Sequence, residues 1–195
     1  YNLWAQEIRI ATFEYETEQV NSAINVMAEI YQNIGYDMTL IRFPSKRSLV
    51  EANAGTTEGE LFRIKEVEKY YPNLVRLPHA LGSLKAMALT RVGEPKIVEV
   101  LGMRDKKVGI LRGLEYTKIL TKGLNREVPN SIDSLFAILL AGRVDVIIFP
   151  KLDGQKYIKT HQLKDKINIS DQPLIEIPLY HFLHKDSSAA LEKLS

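Results

Sequence analysis

Three cationic side chains stand where strands are expected to end, and each suits a small anionic or polar molecule. Arg112 and Gly113 follow the apolar run Lys107-Val-Gly-Ile-Leu111, and Lys151 follows Val144-Asp-Val-Ile-Ile-Phe149 and Pro150. Between them the pattern reads strand, glycine turn, helix, short strand, a second helix from Ile132 to Ala141, then a buried strand. Parallel strands joined this way collect ligands outside their carboxyl ends. Arg112 with Gly113 is expected at a helix start, where backbone N–H groups and the helix dipole favour an anion. Arg63 closes the short strand Gly59-Glu-Leu-Phe-Arg63, where a guanidinium can hold a carboxylate or phosphate through two parallel hydrogen bonds. A salt bridge from Arg63 to Glu60 or Glu66 is the plainer alternative. Tyr15 and Tyr116 lie just beyond strand ends and can sandwich a ring or an aliphatic body, or simply pack within their lobes. Glu14 and Lys151 can meet charged ligand groups or remain solvated, and Arg47 opens a helix that reaches the same rim or stays exposed.

No residue set asks for catalysis. His79, His161, His181 and His184 lack metal-binding spacing, and His181 and His184, three apart in an extended run, point to opposite faces. Ser45, Ser48 and Ser83 sit in no Gly-x-Ser-x-Gly elbow, and Gly109-Ile-Leu-Arg-Gly113 lacks the lysine of a phosphate loop. Glu58 and Glu60 are expected in a polar turn as solvated acids. With no cysteine, disulfides, thiolate chemistry and cysteine-ligated metals are excluded. The reading is a protein without catalytic residues, metal or cofactor.

A formal net charge of +2 is too small to draw nucleic acid or an anionic membrane. No run of about 18 apolar residues is present to cross a bilayer. The chain opens at Tyr1 without an apolar leader, which suggests a processed or excised portion of a longer product.

The elements that must position these residues follow from periodicity. Ile8 to Phe13 reads as a strand. Thr17 caps a helix in which Val20, Ala23, Ile24, Met27, Tyr31 and Ile34 recur at i, i+3, i+4, and Gly35 stops it. Asp37 to Phe43 alternates as a strand, and Pro44-Ser45 opens a helix from Lys46 to Ala54 that Gly55 closes. Leu74 to Leu77 and Ser83 to Arg91 are extended, with Pro78 and Gly82 between them, and Pro173 to His184 is extended before a final helix from Ser187. Two long extended segments bracketing a central α/β block are what a chain needs to leave one lobe, build a second and return through a two-strand hinge.

At this point the chain resembles the bacterial extracellular solute-binding proteins of family 3, the type 2 periplasmic binding proteins with the Venus-flytrap clamshell. The resemblance rests on Ile8-Arg-Ile-Ala11, Arg47-Ser-Leu-Val-Glu-Ala-Asn-Ala-Gly55 with Gly59-Glu60, Leu81-Gly-Ser-Leu-Lys-Ala-Met-Ala-Leu-Thr-Arg91, Lys107-Val-Gly-Ile-Leu-Arg-Gly113 and Leu140-Ala-Gly-Arg-Val-Asp-Val146. It implies an α/β fold of two lobes with mixed sheets, residues 1–88 plus 178–195 in lobe 1 and 89–177 in lobe 2. It further implies a solute held in an interlobe cleft, with Tyr15, Arg63, Arg112, Gly113, Tyr116 and Lys151 as candidate contacts. Two departures bear on the ligand. Amino-acid binders of this family carry a Thr-x-x-Arg element and an aspartate just after the late lobe-2 strand, whereas here no such Thr-x-x-Arg precedes the crossover and the late position reads Phe149-Pro-Lys-Leu-Asp153. That speaks against a standard α-amino acid.

The expected mechanism is closure driven by a ligand's preference for the closed form. Shifting the ratio from 1:99 to 99:1 takes about 5.5 kcal/mol. The expected role is a monomeric periplasmic protein delivering a small solute to an ABC transporter permease. The alternative is the extracytoplasmic input domain of a membrane receptor, a sensor kinase or cyclic-dinucleotide enzyme. An enzyme on the same scaffold, or the effector domain of a LysR-type regulator, ranks below both.

Overall fold

The computed structural model describes residues 5–14 and 17–194. In chain order the elements are β1 (Gln6–Phe13), α1 (Glu18–Asn33), β2 (Tyr36–Phe43), α2 (Ser45–Asn53), β3 (Gly59–Arg63), β4 (Leu74–Arg91), β5 (Lys107–Ile110), α3 (Glu115–Leu120), β6 (Asn125–Glu127), α4 (Ile132–Leu140), β7 (Val146–Pro150), α5 (Lys151–Thr160), β8 (Ile167–Ile169), β9 (Ile175–His184) and α6 (Ser188–Leu194). Two 3-10 turns, Lys65–Lys69 and Val100–Met103, complete them.

The chain divides into two compact units. Unit 1 holds residues 1–83 and 177–195, and unit 2 holds residues 84–176. Both passages between units are made by strands, β4 on the way out and β9 on the way back.

In unit 1 the strand order is β2-β1-β3-β9. β1 runs parallel to β2 and β3, and β3 pairs antiparallel with β9. The Thr17 side chain accepts the Val20 N–H and caps α1, whose Val20, Met27 and Tyr31 face inward, as the i, i+3, i+4 pattern requires. Unit 1 carries its own ring-to-backbone clasp. His181 on β9 is fully buried, its Nδ1 lies 2.8 Å from the Leu61 carbonyl of β3 and its Nε2 lies 2.7 Å from the Tyr31 hydroxyl of α1. A carbonyl only accepts, so Nδ1 carries the proton and Nε2 accepts from Tyr31, which fixes a neutral tautomer.

Burial pushes the His181 pKa down to about 4. The folded value lies below the unfolded one, so this ring's contribution is whole above about pH 6.5 and is lost as the pH falls towards 4. Across that window the loss is about 3 kcal/mol. Subtracting the unfolding free energies of a His181→Asn variant from those of the wild type between pH 7 and 4 should expose this slope, and a difference that stays flat with pH would refute it.

In unit 2 the strand order is β4-β7-β5-β6, with β8 paired to β4. β7 is antiparallel to β4 and parallel to β5, and β5 is parallel to β6. Strand alternation sorts the core. Met87, Leu89, Ile147 and Phe149 pack with α4 and α5 on one face, while Ala86, Ala88, Val146 and Ile148 pack with Ile97, Met103 and Ile110 on the other.

The structure departs from the sequence expectations in three elements, β4, α5 and β8. β4 is a single strand of 18 residues, not two extended pieces. Pro78 is exposed in it, and a proline whose missing N–H faces solvent does not break a strand. The helix α5 and the short strand β8 were not expected. Gly154 inside α5 lowers its helix propensity, yet it packs 3.5 Å from Leu89 and 3.7 Å from Phe149, measured from an added Cβ, so close packing on the sheet replaces propensity.

Candidate functional site

The parallel strands β1, β2 and β3 bring Phe13, Phe43 and Arg63 to one edge of unit 1. Arg63 reaches the first residue of α2, donating from Nη1 to Ser45 Oγ at 3.2 Å and from Nη2 to the Ser45 carbonyl at 3.0 Å. Its guanidinium lies 4.9 Å from the Phe13 ring centroid, within range of a cation–π contact. Its Nε stands 2.7 Å from Glu60 Oε1 without the alignment of a directed hydrogen bond, so the attraction is between charges. A guanidinium has five N–H groups; among the described residues Nη1 and Nη2 each make one hydrogen bond, so each keeps one further N–H.

Glu60 corrects the sequence reading of a solvated acid. Its side chain has no exposed area, because strand alternation turns it to the face shared by its register partners Ala11 and Phe182,. Those two belong to an apolar cluster with Ala52, Val67 and Leu74. The Ser48 hydroxyl of α2 donates to the other carboxylate oxygen. Burial pushes the Glu60 pKa up to about 7 even though the Arg63 charge and Ser48 pull it down. Glu58, by contrast, forms an outlying ion pair with Arg9 at 2.7 Å.

Of the other candidates in unit 1, Tyr15 lies outside the described residues. Glu14 is exposed. Arg47 is exposed and paired with Glu51 at 3.1 Å.

In unit 2 the carboxyl ends of β5, β6 and β7 gather the rest. The Arg112 N–H bonds the Pro129 carbonyl at 3.0 Å and its Nε donates to Asn130 Oδ1; the side chain is exposed. Gly113 has φ +94°, a conformation glycine adopts freely. The helix expected to open at Arg112-Gly113 starts later, at Glu115, and spans six residues with no side-chain cap. Tyr116 is mostly buried against the cluster containing Val108, Ile110 and Ile148. Its hydroxyl is buried without a hydrogen-bond partner among the described residues. Burial, and then the charge of Asp153 in the first turn of α5, hold its ionisation far above the ordinary phenol range. Lys151 is half-buried as the first residue of α5, behind Pro150.

Each unit thus presents cationic or hydrogen-bonding groups at the carboxyl ends of its parallel strands. Arg63 sits in unit 1, and Arg112, Gly113, Tyr116 and Lys151 sit in unit 2. Sequence reasoning missed Phe13, Ser45, Ser48 and Asn130 as their partners. The i, i+3 spacing of Glu60 and Arg63 was the one available signal, since both ends of the other contacts are set by tertiary packing. Among the described residues no group of three or more acidic, histidine or cysteine side chains is placed to hold a metal. No helix of the described residues is long and apolar enough to cross a membrane.

The fold is that of the type 2 Venus-flytrap solute-binding proteins. An ancestral arginine-binding protein bound to arginine matches with a TM-score of 0.72 over 98% of this chain and 90% of that one, at 17% identity. Holo ArgBP from T. maritima matches with a TM-score of 0.69 over 96% of this chain and 87% of its own, at 13% identity. The periplasmic VFT2 domain of Bordetella pertussis BvgS matches with a TM-score of 0.65 over 96% and 85%, at 10% identity. Neither a protein-family model nor a curated protein sequence matches the chain.

Proposed function

We propose that this chain binds a small anionic solute at the carboxyl ends of its parallel strands, and that it acts outside the cytoplasm as a solute-binding protein serving a transporter. The observation that carries the reading is the Arg63 guanidinium, held by Ser45, Glu60 and Phe13 with one N–H on each terminal nitrogen unmatched among the described residues. A cation fixed in this way loses little conformational entropy when it grips a carboxylate or phosphate. Arg112 and Lys151 add positive charge at the corresponding edge of unit 2. The matched arginine-binding proteins support a binding role rather than catalysis, while the cationic edges here favour an anion over a cationic amino acid.

A second reading, the input domain of a membrane receptor, is favoured by the likeness to the BvgS VFT2 domain. The same ligand chemistry serves both.

A thermal-shift comparison of succinate, inorganic phosphate, arginine, spermidine and glucose at pH 7 tests the charge class. A ligand at 100 times its Kd stabilises by about 2.7 kcal/mol, which for a domain of this size raises Tm by roughly 5–10 °C. The expected pattern is a rise with the anions alone. A rise with arginine or spermidine and none with the anions would reverse the assignment.

A further inference from the structure

We propose that Glu60 is the proton acceptor that balances anion binding at Arg63: as an anionic group draws on the guanidinium, the Glu60 carboxylate takes one proton from solvent and becomes a neutral acid inside unit 1. The inference rests on the anion-binding reading above and adds its proton linkage.

Among the described residues the geometry gives Glu60 one compensating charge, Arg63. Its side chain has no exposed area, while that of Arg63 keeps 13%. The residues beside it on β1 and β9 are Ala11 and Phe182, neither of which titrates. From α2 it meets the Ser48 hydroxyl. The charged groups of α2 are the exposed Lys46 and the Arg47–Glu51 pair, which satisfies itself at 3.1 Å. The 3-10 turn gives Val67 to the surrounding cluster, and Glu68 there pairs with Arg76 of β4, which covers the Tyr180 ring. The other side chains with polar groups packed on that cluster are the phenols Tyr71 and Tyr180.

Charge therefore balances locally. Before binding, Arg63 and Glu60 sum to zero. An incoming anion would leave two negative groups sharing one cation, one of them buried in an apolar cluster where an under-compensated carboxylate is costly. Uptake of one proton restores neutrality. The new O–H has an acceptor at hand, because the Ser48 hydroxyl accepts as well as donates and need only turn. A pKa already pushed to about 7 in the unliganded protein places this exchange within the neutral range.

The test is calorimetric titration of succinate into the wild-type chain at pH 8 in two buffers of different ionisation enthalpy, with Glu60→Gln alongside. The wild type is expected to take up close to one proton per succinate, and its Kd to weaken about tenfold per pH unit above 7. Glu60→Gln, an uncharged mimic of the protonated acid, is expected to take up none, to bind with a flat pH profile, and to bind more tightly than the wild type at pH 8. Succinate binding with no proton uptake by the wild type would overturn the inference and leave the anion reading standing. Absence of both heat and a Tm rise with succinate, at pH 6 as well as pH 8, would sink the anion reading and this inference together. If Glu60→Gln does not fold, the wild-type proton count decides alone.

Discussion

Replacing Arg63 with alanine is expected to destabilise unit 1 strongly at pH 8 and only weakly at pH 5.5. Removing one partner of a buried ion pair costs about 3–5 kcal/mol, because it strands the other charge in an apolar setting. Arg63 retains 13% exposure, so the lower end, about 3 kcal/mol, is the appropriate expectation at pH 8. The stranded Glu60 can escape by accepting a proton. Its folded pKa already lies above its ordinary value and rises further without Arg63. A carboxyl whose folded pKa exceeds the unfolded one keeps its contribution below the unfolded pKa and loses it as the pH climbs through the folded one. Acid therefore relieves the variant. Urea unfolding at the two pH values reads the difference, and an equal loss at both would show that the Glu60 charge is not what Arg63 compensates. At pH 8 the expected drop in Tm is roughly 6–12 °C. The same variant should lose the succinate response, since the anchoring donors go with the side chain.

Gly59→Ala is the second substitution with a large expected effect. Gly59 starts β3 between Ile10 of β1 and Leu183 of β9. A Cβ added there would lie 2.4 Å from the Phe182 carbonyl oxygen, 2.9 Å from Leu183 Cδ2 and 3.3 Å from Ile10 Cδ1. The nearest atom is backbone, so no rotamer change relieves the clash and the β3–β9 pairing must shift. Overpacking of this kind costs about 3 kcal/mol. The natural control is Gly82→Ala on β4, where an added Cβ meets nothing within 4 Å and the unfolded chain loses freedom, a gain of about 0.5 kcal/mol. Denaturant midpoints for the pair should move in opposite directions. A Gly59→Ala protein as stable as the wild type would mean that this strand junction is looser than its geometry implies.

The elements visible in the sequence were those whose signal is local. Thr17 before the Val20, Met27 and Tyr31 stripe specifies both the start and the buried face of α1, because capping and 3.6-residue periodicity act within a few residues. β3 was legible for the same reason, as was the β5 to β7 block. α5 escaped because Gly154 depresses propensity and only contact with Leu89 and Phe149 repays it. The unbroken course of β4 escaped because a proline's meaning depends on whether its neighbouring edge is free. His181 read as an ordinary strand residue, and its partners Tyr31 and Leu61 lie 150 and 120 positions away.

The amino-acid order by itself determined the succession of strands and helices, and with it which residues stand at the carboxyl ends of β3, β5 and β7. Arg63, Arg112 and Lys151 reach their edges by that local logic. Only the tertiary structure decided that Glu60 is buried, that Arg63 pairs with it and not with Glu66, that Ser48 is its second partner, and that the Tyr116 hydroxyl, near Asp153, has no hydrogen-bond partner among the described residues. The physical reason is that a carboxyl's ionisation depends on solvent and charge within a few ångströms in space. For Glu60 the exclusion of solvent is set by the register of β3 against Ala11 and Phe182, which the i, i+3 spacing to Arg63 does not record.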